Sequence, residues 1–276
     1  MKHLPYVILS LAVASLACGG AVALSGTPTS APPATGTPPS QVKTPAATQA
    51  TPVLPDEAIL ILAPASGSHL ADQVHVEGQA DSTFEQTLVV EVVLPGDPEV
   101  VLASQPVTIQ AELGRRGPYS ADLSLPGTGA TEQAAEVRVY ATSPRDGGVT
   151  HLATTQITIG AAAPDVRIAE PGPERIAILS PAPGDAVRAG TAHVEGQALA
   201  SFEQTLIARI YDVQGTLIGE APITVQAPDY GVWGSFGVDV PYRAASAGAG
   251  RIVVLDPSPA FGQTLHLASV EVQIEP

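Results

Sequence analysis

His75-Val76-Glu77-Gly78-Gln79-Ala80 returns unchanged as His193-Val194-Glu195-Gly196-Gln197-Ala198, and Phe84-Glu85-Gln86-Thr87-Leu88 returns as Phe202-Glu203-Gln204-Thr205-Leu206. Both blocks move by 118 positions (193 − 75 and 202 − 84). The flanks follow. Ile61-Leu62-Ala63-Pro64 with Gly67 corresponds to Ile178-Leu179-Ser180-Pro181 with Gly184. Ser143-Pro144, Gly147 and His151-Leu152-Ala153 correspond to Ser258-Pro259, Gly262 and His266-Leu267-Ala268. Matched blocks in the same order set chance aside, so the chain carries two copies of one domain, each of about 100 residues.

Within each copy the apolar period is two, not 3.6. Val238 and Val240 alternate with Gly237 and Asp239, and Val270, Val272 and Ile274 alternate with Glu271, Gln273 and Glu275, the pattern of half-buried strands. Further strands are expected over 176–179, 192–197, 205–212, 216–220, 223–226 and 251–255. Asp212-Val213-Gln214-Gly215 reads as a hairpin turn with Gly215 at positive φ. No segment of a dozen residues shows a helical stripe, and prolines interrupt most candidates. About seven or eight short strands per copy, with turns every 8 to 12 residues, predict an all-β chain of two tandem immunoglobulin-like β-sandwiches. With 45% hydrophobic but only 4% aromatic residues, their cores must rest on Val, Leu, Ile and Ala.

The amino terminus has a different character. Lys2, the apolar run from Leu4 to Ala17 and the small residues before Cys18 read as an export signal, and that run is shorter than the roughly 20 residues a bilayer-spanning helix needs. Ser15-Leu16-Ala17-Cys18 resembles the bacterial lipobox, with the usual Leu and small residue exchanged, which implies that Cys18 is lipidated. Cys18 is the only cysteine, so no disulfide within the chain and no cysteine-rich metal site can form. From Gly19 to Pro55, Thr, Pro, Ala and Ser dominate and Lys43 is the only charge. Such a segment cannot bury enough surface to fold, and as polyproline II it would reach on the order of 100 Å. The expected organisation is a signal peptide over 1–17, a lipid-anchored disordered Thr/Pro-rich stalk over 18–56, sandwiches over 57–160 and 175–276, and a linker over 161–174.

The formal net charge of −15 would repel a polyanion and makes nucleic acid an unsuitable partner. It also opposes contact with anionic lipid, so attachment to a membrane would rest on the covalent anchor. The expected location is therefore the outer face of the cell membrane, or the outer membrane.

Ser180-Pro181 with Gly184, Val194 with Gly196, Phe202-Glu203, Gly231 with Trp233 and Phe236, and Ser258-Pro259 with Gly262 resemble the immunoglobulin-like domain of bacterial spore germination, the sandwich member of the Gmad group. Pro64, Gly67, Gly78, Phe84 and Glu85 carry the resemblance into the first copy. There Gly117-Pro118-Tyr119 stands near the place of Gly231-Val232-Trp233, and Ala121 falls opposite Phe236. The resemblance implies an anchored, non-enzymatic domain for extracellular binding or assembly, with an envelope protein or a cell-wall polymer as partner. It brings no catalytic residues. The neighbouring GerMN-type domain common in that family is missing from this sequence, which weakens transfer of a germination role. A structural spacer, or an envelope hydrolase, are the alternatives.

Individual residues support no chemistry of their own. His75 and Glu77, like His193 and Glu195, alternate onto one strand face, but two ligands are too few for a structural zinc and no HExxH motif adds more. The expectation is that Val74, Val76 and Val194 face the core while His and Glu face water. Phe84 and Phe202 are expected to fill the core, and Glu85 and Glu203 to accept backbone hydrogen bonds at a strand edge. Trp233 is expected to be a core or corner residue. No GxSxG elbow, P-loop or EF-hand is present, so no catalytic, cofactor or metal residue is assigned.

Overall fold

The computed structural model describes residues 53–125, 131–160, 163–199, 201 and 203–276. Cys18, the signal sequence and nearly all of the stalk lie outside the described residues, as does Phe202.

Two sandwiches of eight strands each follow one another. The first has β1 (Ile59–Ala63), β2 (Ser68–Leu70), β3 (Gln73–Ala80), β4 (Thr87–Leu94), β5 (Val100–Thr108), β6 (Gly117–Ser124), β7 (Gln133–Thr142) and β8 (Val149–Ile159). The second repeats them as β9 (Ile176–Ser180), β10 (Ala186–Val187), β11 (Thr191–Leu199), β12 (Thr205–Tyr211), β13 (Leu217–Thr224), β14 (Trp233–Pro241), β15 (Gly248–Pro257) and β16 (Thr264–Ile274). One 3-10 turn, Phe84–Gln86, is the whole helical content among the described residues. In each copy a three-stranded sheet, β1-β3-β6 or β9-β11-β14, packs on the larger one.

Alternation places the core as the period demands. Val74, Val76, Val90, Val92, Val137 and Val139 are fully buried in the first sandwich, with Val194, Ala208, Ile210, Ile252 and Val254 matching them in the second. The segments 216–220 and 223–226, expected as two strands, form the single strand β13, with Pro222 inside it. Proline is tolerated because β13 is an outer edge strand. Pro106 in β5, the opposite edge, occupies the same place. The Asp212–Gly215 turn forms as expected: Gly215 has φ 77 and its N–H donates to the Asp212 carbonyl at 3.0 Å.

Two expectations about aromatic residues are corrected. Tyr119, not Ala121, takes the place of Phe236, because Gly78 pairs with Tyr119 as Gly196 pairs with Phe236. Each ring lies on its glycine. A Cβ at Gly78 would come within 2.5 Å of the Tyr119 hydroxyl, and one at Gly196 within 2.4 Å of the Phe236 ring. The two cores therefore share one aromatic device, although the residue type differs. Phe84, expected in the core, is 58% exposed. The turn that carries it has Glu85 and Gln86 at φ 54 and 56, so the chain reverses and Gln86, not Phe84, points inward.

The larger sheets do not stop at the domain boundary. β8 and β16 pair antiparallel through Leu152 and Leu267, giving one continuous sheet in the order β13-β12-β15-β16-β8-β7-β4-β5. The connection expected as a plain linker also bonds to the first sandwich: Asp165 and His69 exchange N–H···O bonds at 2.8 Å, and the Ala169 N–H donates to the Leu62 carbonyl at 2.8 Å.

Candidate functional site

The pairing across the boundary relates each residue to its own copy. Leu152 and Leu267 are the same position of the repeat, and they face each other. Asp56 and Pro173, also equivalent by the offset of Ile61 and Ile178, form an antiparallel bridge. Around it, the Glu57 N–H donates to the Gly172 carbonyl at 3.3 Å and the Glu174 N–H donates to the Pro55 carbonyl at 2.8 Å. Equivalent residues meeting twice, with reciprocal bonds, define a pseudo-two-fold axis through the seam. Such isologous contact is the geometry of a homodimer interface, here closed inside one chain.

Side chains gather on that axis in equivalent pairs: Glu57 with Glu174, and His151 with His266. His266 Nε2 lies 2.8 Å from Glu174 Oε1, and its Nδ1 lies 3.6 Å from Glu57 Oε1. His151 Nε2 lies 4.0 Å from Glu174 Oε2. The Ala58 N–H donates to Glu174 Oε2 at 2.6 Å, and the equivalent Arg175 N–H donates to Glu57. Glu57, Glu174 and His266 are buried.

Burial, and then the neighbouring Glu174 carboxylate, push Glu57 up to about 8. Burial also opposes charge on Glu174, but the hydrogen bond from His266, the two imidazoles and the Ala58 N–H together hold it below the ordinary carboxylate range. Burial holds both His266 and His151 below the usual imidazole range. The Nε2–H tautomer of His266 satisfies Glu174 and leaves Nδ1 without a hydrogen-bond partner.

Beside this cluster the seam has an apolar floor of Leu152, Val253, Leu255 and Leu267 and one buried ion pair. Arg251 donates to Asp146 Oδ1 at 3.1 Å and to Oδ2 at 3.0 Å, and the two side chains are 3% and 1% exposed. Burial works against the Asp146 charge, yet Arg251, the Gly148 N–H and the Ser143 hydroxyl hold its carboxyl low.

Two clefts flank the axis, again as equivalents. One, of about 560 Å³, is lined by Asp81, Phe84, Ser143, Pro144, Arg145 and His151. The other, of about 590 Å³, is lined by Ser201, Tyr230, Asp256, Ser258, Pro259 and Arg175. They differ chemically. The first is lined by both the exposed Phe84 ring and Arg145. In the second, Asp256 replaces Ala141, is buried, and keeps Oδ1 without a partner; burial raises its carboxyl.

The residues singled out from sequence are mostly scaffold. Pro64 and Pro181 follow cis peptides, and Gly67 and Gly184 turn the chain at φ 79 and 85. Gly78 and Gly196 seat the aromatic rings, and Phe236 is buried. Trp233 is half-buried where β14 begins. Glu85 and Glu203 are exposed, and among the described residues neither side chain makes a hydrogen bond. The inward-facing role falls to Gln86, whose Nε2 donates to the carbonyls of Ala111, Glu112 and Arg115. His75 and His193 face water as expected: His75 Nδ1 is 2.7 Å from Asp122, His193 Nδ1 is 2.7 Å from Asp239, and His193 Nε2 is 3.0 Å from Glu195. Glu57 and Glu174 escaped sequence reading, though their offset of 117 (174 − 57) equals that of Ile61 and Ile178.

A family model described as the immunoglobulin-like domain of bacterial spore germination matches residues 58–148 and 175–263. No curated protein matches the chain. Among solved structures, red sea bream transglutaminase aligns at 9% identity with a TM-score of 0.28, over 79% of this chain and 31% of its own. The chain thus spans under a third of that relative. CBD12 from CALX1.2 aligns at 10% identity with a TM-score of 0.19, over 78% of this chain and 100% of its own.

Proposed function

The chain belongs to the family of the immunoglobulin-like domain of bacterial spore germination, which it carries twice, and from that premise we propose an exported, lipid-anchored, non-enzymatic protein whose joined sandwiches form one binding head in the bacterial envelope. Cys18 carries the lipid, the Thr/Pro-rich segment is the stalk, and the partner is an envelope protein or a cell-wall polymer.

The observation that supports binding is the cleft beside the seam. An exposed aromatic ring, Phe84, and Arg145 both line a cleft of about 560 Å³, and aromatic and Arg side chains are the types enriched at binding hot spots. Catalysis is disfavoured by placement. Glu57, Glu174 and His266 are sealed within the seam and His151 alone of the cluster lines the cleft, while the two carboxylates that do line it, Asp81 and Glu271, are each held in an ion pair, with Arg116 and Arg145.

Sedimentation of the mature chain with purified cell-wall sacculi, and cross-linking to envelope proteins in intact cells, test this reading. Retention that weakens on Phe84→Ser and Arg145→Ser is expected. Absence of binding to either material would leave the spacer reading and overturn this one.

A further inference from the structure

We propose that Glu57, Glu174, His266 and His151 form a binding site for one divalent transition-metal ion, of the Zn2+ class, that staples the two repeats at their pseudo-two-fold axis. Its three buried donors lie outside the cleft, which His151 alone of the cluster lines.

Donor type and spacing come first. One donor atom from each of Glu57, Glu174 and His266 lies within 4.8 Å of the other two. His266 Nε2 and Glu174 Oε1, 2.8 Å apart, are where one ion with bonds of about 2.0–2.2 Å would replace the shared proton once the two donors part slightly. His151 stands at the edge of that group, with Nε2 4.0 Å from Glu174 Oε2, and would join as a second imidazole only by a shift of its ring. The mixture of nitrogen and oxygen donors favours zinc and its neighbours over calcium or magnesium, which take oxygen.

A second observation points the same way. His266 is 3% exposed at its side chain, and its Nδ1 is buried with no hydrogen-bond partner while facing Glu57. A buried polar atom normally finds a partner; with an ion on Nε2 the ring proton would sit on Nδ1, facing Glu57 Oε1 at 3.6 Å, so binding would give Nδ1 the partner it lacks in the metal-free seam. Two carboxylates buried together can both carry charge only with compensation, because buried charges are paired or coordinate metals. The guanidinium charges of Arg175 and Arg116 act on Glu57 only at a distance, whereas one divalent ion would balance both carboxylates at once.

Symmetry adds a reason for the arrangement. Both glutamates come from the residues just before the first strand of each copy, and both histidines from the paired strands β8 and β16. A module pairing with itself would bring two equal half-sites together on the axis. The fused chain retains all four.

The test uses the full mature chain, stripped with chelator and titrated with Zn2+ and with Co2+ as a spectroscopic probe. One ion per chain is expected, with tetrahedral Co2+ absorption. At about a hundredfold excess over Kd, Tm should rise by about 5–10 °C. Glu174→Gln and His266→Gln should each weaken binding by more than about 100-fold, beyond the loss typical of an outer-shell partner. His75→Ala and His193→Ala, on the exposed sheet faces, should change nothing. If a seam variant fails to fold, stoichiometry and the Co2+ spectrum of the unaltered chain still decide. No stoichiometric binding, or binding abolished by His193→Ala, would overturn the proposal.

Discussion

Asp146→Asn should destabilise the protein far more than loss of one surface charge would. Asp146 belongs to the first sandwich and Arg251 to the second, and their two hydrogen bonds of 3.1 and 3.0 Å are almost fully shielded from water. The repeat offers no substitute, because Phe261 stands at the position equivalent to Asp146. Removing the carboxylate charge leaves the guanidinium buried, with Glu271 at 3.8 Å as its remaining anionic neighbour. Breaking a buried pair from one side costs about 3–5 kcal/mol, and Glu271 places this case at the lower end. For a folded region of this size the loss corresponds to a fall in Tm of about 6–15 °C. Asp146→Asn combined with Arg251→Met should recover much of it, since no charge is then left buried without a partner and the Asn amide oxygen can still accept from the Gly148 N–H. Urea and thermal unfolding followed by circular dichroism give all four corners of the cycle. A single-variant loss below about 1 kcal/mol, the range of a surface pair, would refute the reasoning.

Gly78→Ala and Gly196→Ala should each cost at least about 1–3 kcal/mol by overpacking, because the added Cβ would lie 2.0 Å from the Leu60 carbonyl or 2.2 Å from that of Ala177; denaturant midpoints check this. In the metal-free chain Glu57 contributes a pH dependence of definite sign. Its folded pKa of about 8 exceeds the unfolded 4.5, so the folded state holds a proton that the unfolded state releases. Stability should fall between pH 4.5 and 8, by up to about 1.4 kcal/mol per unit, with Glu174, His266, Arg175 and Arg116 facing the group. Glu57→Gln should flatten that decline in unfolding curves taken across the range. Cys18→Ser should abolish metabolic labelling by a fatty-acid analogue, and unchanged labelling would remove the anchor.

The fold was legible because the repeat and the period of two are local signals: Val74 and Val76 are buried and His75 and Glu77 exposed as their alternation requires. What escaped was position relative to the other copy. His151 and His266 were visible as repeat members, yet nothing in a one-dimensional pattern says that equivalent residues meet each other. Glu57 and Glu174 lie outside the identical blocks, in segments without periodicity. The Phe84 misplacement has a backbone origin, since consecutive residues at positive φ in Glu85 and Gln86 reverse which side chain faces inward. Tyr119 follows Gly117-Pro118 as Trp233 follows Gly231-Val232, a local likeness that hides the register in which Tyr119 covers Gly78.

The pseudo-two-fold seam is the claim on which the cluster, the paired clefts and the joined sheet all depend. Asp56 and Pro173 sit on it as a non-hydrogen-bonded antiparallel pair, flanked by the reciprocal Glu57 and Glu174 amide bonds. Pairs of that kind hold their Cα atoms about 4.5 Å apart, within the span of a disulfide. In a Cys18→Ser background, Asp56→Cys with Pro173→Cys should therefore close an intramolecular disulfide under mild oxidation, read by intact mass and mobility on a non-reducing gel. Free thiols, or cross-links only between chains, would contradict the seam.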